Sequence, residues 1–288
     1  MSLNFKLKII SFFIIIAFPV GGLWYYRYTH PKYIPLPPRK EINITIIPGW
    51  NLRQIADDWN KKGIIKTNDE LFELLGQPAY NYKAVGKMAP DLNLVSVSGT
   101  PSLYPLLLEK PMGVSYEGFL FPDTYRVYAN AEPVEVLRKI FDNLEEKITL
   151  EMREEIKKQG KSFYEILTMA SVVQKEAPAG EMGMVADIFW RRNQNNWAMQ
   201  SCATVNYITG KNDPGVTDKD RSIDSLFNTY KYPGLPLGAI SNPSLEAIKA
   251  AIYPTKNNYW YFMAGTDGVT HYARTLDEHN INVAKYLR

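Results

Sequence analysis

The sequence predicts an α+β protein in three parts: an apolar N-terminal segment, a small strand–helix–helix module and a larger mixed α+β domain. Three observations predict it. An uncharged run, Ile9 to Tyr26, stands apart at the N-terminus. Ile42, Ile44 and Ile46 then alternate with polar residues, and Leu52, Ile55, Ala56 and Trp59 follow at helical spacing, so a strand passes into a helix. Further on, a capping box opens an apolar helix, and a late aromatic strand follows loops rich in Pro and Gly. The expected divisions are 1–8, a cytoplasmic N-terminus; 9–26, a transmembrane anchor; 27–40, a Pro-rich linker; 41–110, the small module and a connecting region; and 111–288, the larger domain.

The run IISFFIIIAFPVGGLWYY is apolar on every face and near the lower limit for spanning a bilayer. Lys6 and Lys8 precede it, and Trp24, Tyr25 and Tyr26 close it as an interfacial aromatic belt. No small-x-small cleavage site follows, which favours an uncleaved anchor over a signal peptide. Arg27, Lys32, Arg39 and Lys40 on the far side do not favour an outward C-terminal domain, whereas the short, signal-like N-terminus does. The expectation is a single-pass protein of the cell membrane with its larger domain on the extracytoplasmic side. Residues 31–40, PKYIPLPPRK, form an extended linker that spans roughly 30 Å at about 3.1 Å per residue.

In the small module, Pro48-Gly49 turns the chain between strand and helix, Gly63 stops that helix, and Asn68 is placed to cap a second one carrying Leu71, Phe72, Leu74 and Leu75. This order and the run IIPGWNLRQIA resemble a LysM-like module. The resemblance implies a glycan-binding role; a small structural cap on the larger domain is the alternative. Between 79 and 110, Leu92, Leu94, Val95 and Val97 suit a strand.

Composition narrows the function classes. The chain has 288 residues, is 45% hydrophobic and 22% charged, and so lies in the ordinary globular range. A net charge of +3 without a basic stripe argues against nucleic acid. The lone Cys202 allows no internal disulfide and no multi-cysteine metal site, and His30, His271 and His279 lack partners at zinc-ligand spacing, so no metal site is expected. Nineteen tyrosines leave open a Tyr-rich core or stacking platforms for sugars.

Ser162-x-x-Glu165 opens a helix that runs on as ILTMASVVQKE. At 100° per residue, Met169, Val172 and Val173 lie within about 60° of Glu176, so that carboxylate sits on or beside the apolar stripe. Lost hydration raises a carboxyl pKa, as a general acid near neutral pH requires. Periodicity alone leaves a second reading open, in which Glu176 frays from the helix end before Pro178 and Gly180.

Five ordered blocks carry a resemblance over most of residues 115–288: EGFLFPDTY (117–125), MASVVQKEAPAGEMGMVADIFWRR (169–192), Met199-Gln200 with Thr204-Val205-x-Tyr207, FNTYKYPGLPLGAISNPSLEAIKAA (227–251) and YWYFMAGTDGVTHYARTLDEHN (259–280). Together they resemble the YceG-like family of endolytic murein transglycosylases. Gln174 stands where the family has the first Glu of Glu-Lys-Glu, Cys202 where it has Asp, Ala203 where it has Pro, and Leu237 where it has a second Pro. The resemblance implies a lyase that cleaves between N-acetylmuramic acid and N-acetylglucosamine with Glu176 as acid and base. It also implies glycan strands as substrate, peptidoglycan synthases as partners and no cofactor. Gln200, Thr204, Asn228, Thr229, Tyr230, Gly238, Asn242, Tyr261 and His271 are the expected substrate-binding residues. Asn242 also suits a helix N-cap before Pro243, Tyr259 to Met263 suit a core strand, and His271 suits a structural role. A water-using glycosidase needs a second carboxylate, for which Glu117 and Asp123 stand first. The rival class is a non-catalytic wall-binding scaffold, favoured by the loss of the aspartate at Cys202.

Overall fold

A computed structural model describes residues 22, 24–30, 39–81, 104–211 and 215–287. Most of the expected anchor, the linker over 31–38 and the expected strand around Leu92 to Val97 lie outside the described residues. Residues 24–29 are helical, and among the described residues no helix is long and apolar enough to cross a membrane. Residues 41–288 form one compact unit.

That unit opens with β1 (Glu41–Thr45), α1 (Leu52–Lys61) and α2 (Asn68–Leu75). The strand–helix–helix order agrees with the isoleucine alternation and with the Leu52, Ile55, Ala56, Trp59 stripe, all four of which are buried. Asn51 caps α1, accepting from the Arg53 and Gln54 amides, and Gln54 returns the bond to the Asn51 amide at 3.0 Å. Asn68 is the first residue of α2 and not its cap; Thr67 takes that place, and the Asn68 amide donates to Asp57 at 2.7 Å.

A short turn of helix, α3 (Pro105–Leu108), precedes β2 (Thr124–Tyr128). β2 pairs antiparallel with β1, Ile44 opposite Tyr125. Then come α4 (Pro133–Lys147), α5 (Leu150–Lys158), α6 (Phe163–Glu176), α7 (Met182–Gln194), α8 (Cys202–Thr209), a turn of helix α9 (Asp218–Arg221) and α10 (Leu245–Ile252). A hairpin of β3 (Tyr261–Ala264) and β4 (Thr270–Ala273) and the terminal α11 (Leu276–Tyr286) close the chain. The architecture is the mixed α+β one expected.

α6 is the centre. Its run from Ile166 to Val173 is buried throughout, and it packs against α7, α10 and α8. Its start has the predicted capping box, with Ser162 and Glu165 bonded reciprocally. Phe119 and Leu120 plug the space between the small module and α6. The chain enters that plug through Gly118, held at φ +91, where a Cβ would lie 2.6 Å from the Ala239 Cβ; no other residue fits there. Asn242 caps no helix: Ser244 caps α10, and Asn242 is fully buried between α1 and the 117–120 segment.

Candidate active site

α6 ends on Glu176, and the residues that follow leave the helix at once, Ala177 being extended. The Glu176 side chain therefore emerges at the helix terminus into a cavity of about 570 Å³. One wall is the start of the small module, with Asn51, Arg53, Gln54 and Asp57 of α1 and its cap. The facing wall is α8, with Cys202, Ala203, Asn206 and Tyr207. Glu176 and Lys175 form the floor between them.

The carboxylate itself is enclosed, although the residue still borders the cavity. Ser201 donates a short hydrogen bond to Oε1, and the Ala203 amide donates to the same oxygen at 3.3 Å. Oε2 takes no protein hydrogen bond among the described residues. Burial raises the Glu176 pKa above the ordinary carboxylate value; the Ser201 and Ala203 donors and the charges of Arg192 and Lys175 pull against it. The apolar stripe predicted behind Glu176 is present, since Met169, Val172 and Val173 are all fully buried. Glu176 does not fray into solvent.

Ser201 is a residue that sequence reasoning missed. Its backbone is fixed by a bond from its amide to Thr229 Oγ1 at 3.1 Å and by one from Thr204 Oγ1 to its carbonyl at 2.8 Å. Gln200, immediately before it, sits at φ +56, a conformation rare outside glycine, and donates its amide to the Thr229 carbonyl at 3.1 Å. Arg192 completes the mounting. Its guanidinium donates to the Met199 carbonyl at 2.6 Å and to that of Trp260, tying the β3 end of the hairpin to the loop that carries Ser201.

None of the expected binding residues is among those that line this cavity. Thr204, Asn228, Thr229 and Asn242 are fully buried. Asn228 spends its amide on the Arg221 and Ile223 carbonyls, both at 2.8 Å, and shapes the 221–230 loop. Gly238 lies against Tyr164, where a Cβ would meet the hydroxyl at 2.6 Å. Tyr230 is half-buried, its hydroxyl 3.0 Å from Cys202 Sγ. Tyr261 stacks on His279 and lies beside the Arg192 guanidinium. His271 pairs with Asp267 at 3.0 Å and stacks on Tyr286, on the hairpin. Cys202, by contrast, faces the cavity.

Glu117 is enclosed in a cage of donors. It accepts from the Leu52 amide at 3.0 and 3.1 Å, from Asn242 Nδ2 at 3.1 Å and from the Tyr207 hydroxyl at 3.1 Å. Burial outweighs these donors and pushes its pKa up to about 7. Asp123 accepts from Asn143 at 3.0 Å and from the Thr124 amide at 2.7 Å. Neither lines the cavity, so neither is placed as a second catalytic carboxylate. The other acidic residue lining it, among the described residues, is the exposed Asp57 of α1. Among those residues no cluster of His, Cys, Asp and Glu is placed to hold a metal ion.

The YceG-like family model matches residues 32–285, which include both walls of the cavity and Glu176. The chain belongs to the YceG-like family. It is 32% identical over 252 residues to an endolytic murein transglycosylase of Bacillus subtilis, covering 85% of this chain and 65% of the relative. It is 30% identical over 238 residues to an endolytic murein transglycosylase of Streptococcus pneumoniae, covering 77% of this chain and 43% of the relative. The chain thus spans less than two thirds of the length of either. Its fold is similar to the crystal structure of a yceG-like protein from Listeria monocytogenes, with a TM-score of 0.64 and 30% identity over 85% of this chain and 76% of that one. Several residues of the ordered blocks hold the loop that carries Ser201: Arg192 bonds the Met199 carbonyl, and Thr204 and Thr229 bond Ser201 itself.

Proposed function

We propose that this protein is an endolytic lytic transglycosylase that cleaves peptidoglycan glycan strands between N-acetylmuramic acid and N-acetylglucosamine, with Glu176 as its single acid and base. One observation carries the reading: an enclosed carboxyl group at the end of α6, one oxygen held by two donors and the other without a protein partner, on the floor of a cavity large enough for a ligand. The names of the relatives point to the same reaction.

The chemistry follows from that placement. With Oε1 occupied by Ser201 and Ala203, the proton of the acid form sits on Oε2. Burial keeps it there at a higher pH than a solvated carboxyl allows. Glu176 gives this proton to the glycosidic oxygen as the bond to C1 of the muramic residue breaks. The resulting carboxylate then takes the proton of the C6 hydroxyl, whose oxygen closes on C1 to form the 1,6-anhydro ring. The substrate hydroxyl replaces water, the proton returns to Glu176, and no second carboxylate is required. Asp57 favours a second reading, because it lines the same cavity and a hydrolase needs a base to activate water. The apolar run Ile9 to Tyr26 supports a single-pass membrane anchor with the site on the extracytoplasmic side, beside the peptidoglycan synthases whose strands it would cut.

Digestion of purified sacculi tests the reading. Wild-type protein releases soluble fragments. Glu176→Gln, nearly isosteric and unable to titrate, keeps its melting temperature and loses roughly 10² to 10⁴ in rate. Full activity in that variant contradicts the assignment, and inactivity of the wild type favours a wall-binding scaffold.

A further inference from the structure

The hydroxyl and amide groups of an uncharged sugar are met by neutral donors and acceptors and do not call for charge. Yet three cations line the cavity at Glu176: Arg53, Lys175 and Lys211. Two of them are committed within the protein. Arg53 donates Nη1 to the Tyr207 carbonyl at 2.9 Å and lies over the Tyr207 ring, 5.3 Å from its centre. Lys211 Nζ bonds both oxygens of Asp220, at 2.9 and 3.0 Å, and Thr217 donates to the same carboxylate at 2.7 Å.

Lys175 is different. Its ammonium has no hydrogen-bond or ion-pair partner among the described residues. Neither acid that lines the cavity pairs with it: Asp57 is bonded to Asn68 at 2.7 Å, and Glu176 accepts from Ser201. Lys175 is exposed, and it is the residue before Glu176 in the last turn of α6. Its stem passes the turn at Gly49, where a Cβ would lie 3.7 Å from Lys175 Cδ. That turn is fixed, because the Gly49 amide donates to the Asn242 carbonyl at 2.8 Å. With Lys211 balanced by Asp220 and Glu176 carrying its proton, Arg53 and Lys175 outweigh Asp57 in the cavity. An unpaired ammonium there is matched by a carboxylate of the ligand.

On a peptidoglycan strand the carboxylates belong to the short peptide on the lactyl group at C3 of muramic acid. That is the same sugar whose C1 bond is cut in the proposed reaction. We propose that Lys175 binds a carboxylate of this peptide, and so makes the enzyme prefer strands that carry charged peptides over strands whose peptides are uncharged. The inference rests on the reading of the cavity as a glycan-cleaving site, and it extends the recognised substrate from the glycan to the peptide beside the cleaved bond.

The test uses the full-length protein in detergent and uncrosslinked peptidoglycan strands whose amines are acetylated. One half of the strands is used as such; in the other half the peptide carboxylates are capped as methylamides. Glycan and peptide lengths are then equal, and only charge differs. Wild type shows a kcat/KM roughly 3- to 10-fold higher on the charged strands, the worth of one half-exposed charge-assisted bond, and high salt erodes the difference. Lys175→Ala brings the ratio of the two substrates close to one, Lys175→Arg keeps it, and Lys175→Glu inverts it. Lys175 also pulls the Glu176 pKa down, so its replacement shifts the rate on both substrates; that effect is common to them and cancels in the ratio. A wild-type ratio of one, or a ratio that persists in Lys175→Ala and Lys175→Glu, overturns the assignment while the cleavage reading stands. Cleavage of neither substrate by wild type sinks the cleavage reading instead. Calorimetric binding of the two strands to wild-type and Lys175→Ala protein then decides the carboxylate contact alone: a preference for charged strands that the variant loses supports it, and equal binding rejects it.

Discussion

Glu176 owes its position at the cavity to where α6 stops. One turn earlier it would face the packed run of Met169 to Val173; two residues later it would stand in the exposed segment that starts at Pro178. At the helix end the carboxyl is enclosed yet borders the cavity, and Ser201 fixes its orientation. Ser201→Ala removes a donor that stabilises the carboxylate, so the Glu176 pKa rises further. The alkaline limb of the pH–rate profile then moves to higher pH while the rate falls from lost positioning. Ser201→Thr keeps a hydroxyl and leaves the limb in place; an unmoved limb in the alanine variant rejects the role given to Ser201. Glu117 yields a second expectation. Its folded-state pKa of about 7 lies above the ordinary value of 4.5, so the native protein binds the proton more readily than the unfolded chain. Its contribution to stability is full below about 4.5 and is lost as pH rises to about 7. Melting temperatures of wild type and Glu117→Gln, compared across that window, should converge with rising pH; a constant difference contradicts the shift. Periodicity set Glu176 on or beside a helical apolar stripe and left fraying open; the ordered family blocks singled it out. Ser201 was not legible, since a serine in a loop leaves no periodic signal and its aim depends on the unusual backbone at Gln200.

At the scale of elements, local signals were read reliably where capping chemistry and periodicity agreed. The Ser162 capping box, the α1 stripe, the stop at Gly63 and the aromatic β3 all stand in the structure. Asn68 and Asn242 misled because an asparagine before a helix fits a cap equally well whether or not tertiary partners claim its amide. Here Asp57 claims one, and Glu117, Leu120 and Trp50 claim the other. The partner of β1 was also beyond local reading, since β2 follows it by some eighty residues of sequence. Gly118 shows how tightly the elements meet. Gly118→Ala forces a Cβ to 2.6 Å from Ala239 at a backbone angle that side chains rarely adopt. The substitution should cost about 1–3 kcal/mol in denaturant unfolding. A stability equal to wild type shows that the 117–120 plug yields more easily than its packing suggests.

At the scale of the molecule, the cavity at Glu176 exists only because distant segments converge. α1 supplies one wall, α8 the other and α6 the floor, while the caged Glu117 bonds the Leu52 amide of the first wall and Tyr207 of the second. The ordered blocks of the sequence pointed to the family and to Glu176, but they gave no account of the wall facing α8. Thr204, Asn228, Thr229 and Asn242 are buried beneath the cavity, which sequence could not show because buried Asn and Thr side chains look identical in it to exposed ones. The residues that do border the cavity, among them Arg53, Gln54 and Asp57, come from the small module. The central claim remains that Glu176 alone performs both proton transfers. Its most direct test is mass spectrometry of sacculi digested by the wild-type protein in water enriched in heavy oxygen. The proposed mechanism predicts strands ending in 1,6-anhydro-muramic acid, one water lighter than reducing ends and free of the label. Reducing ends carrying heavy oxygen contradict it, and turn attention to Asp57 as the base of a hydrolase.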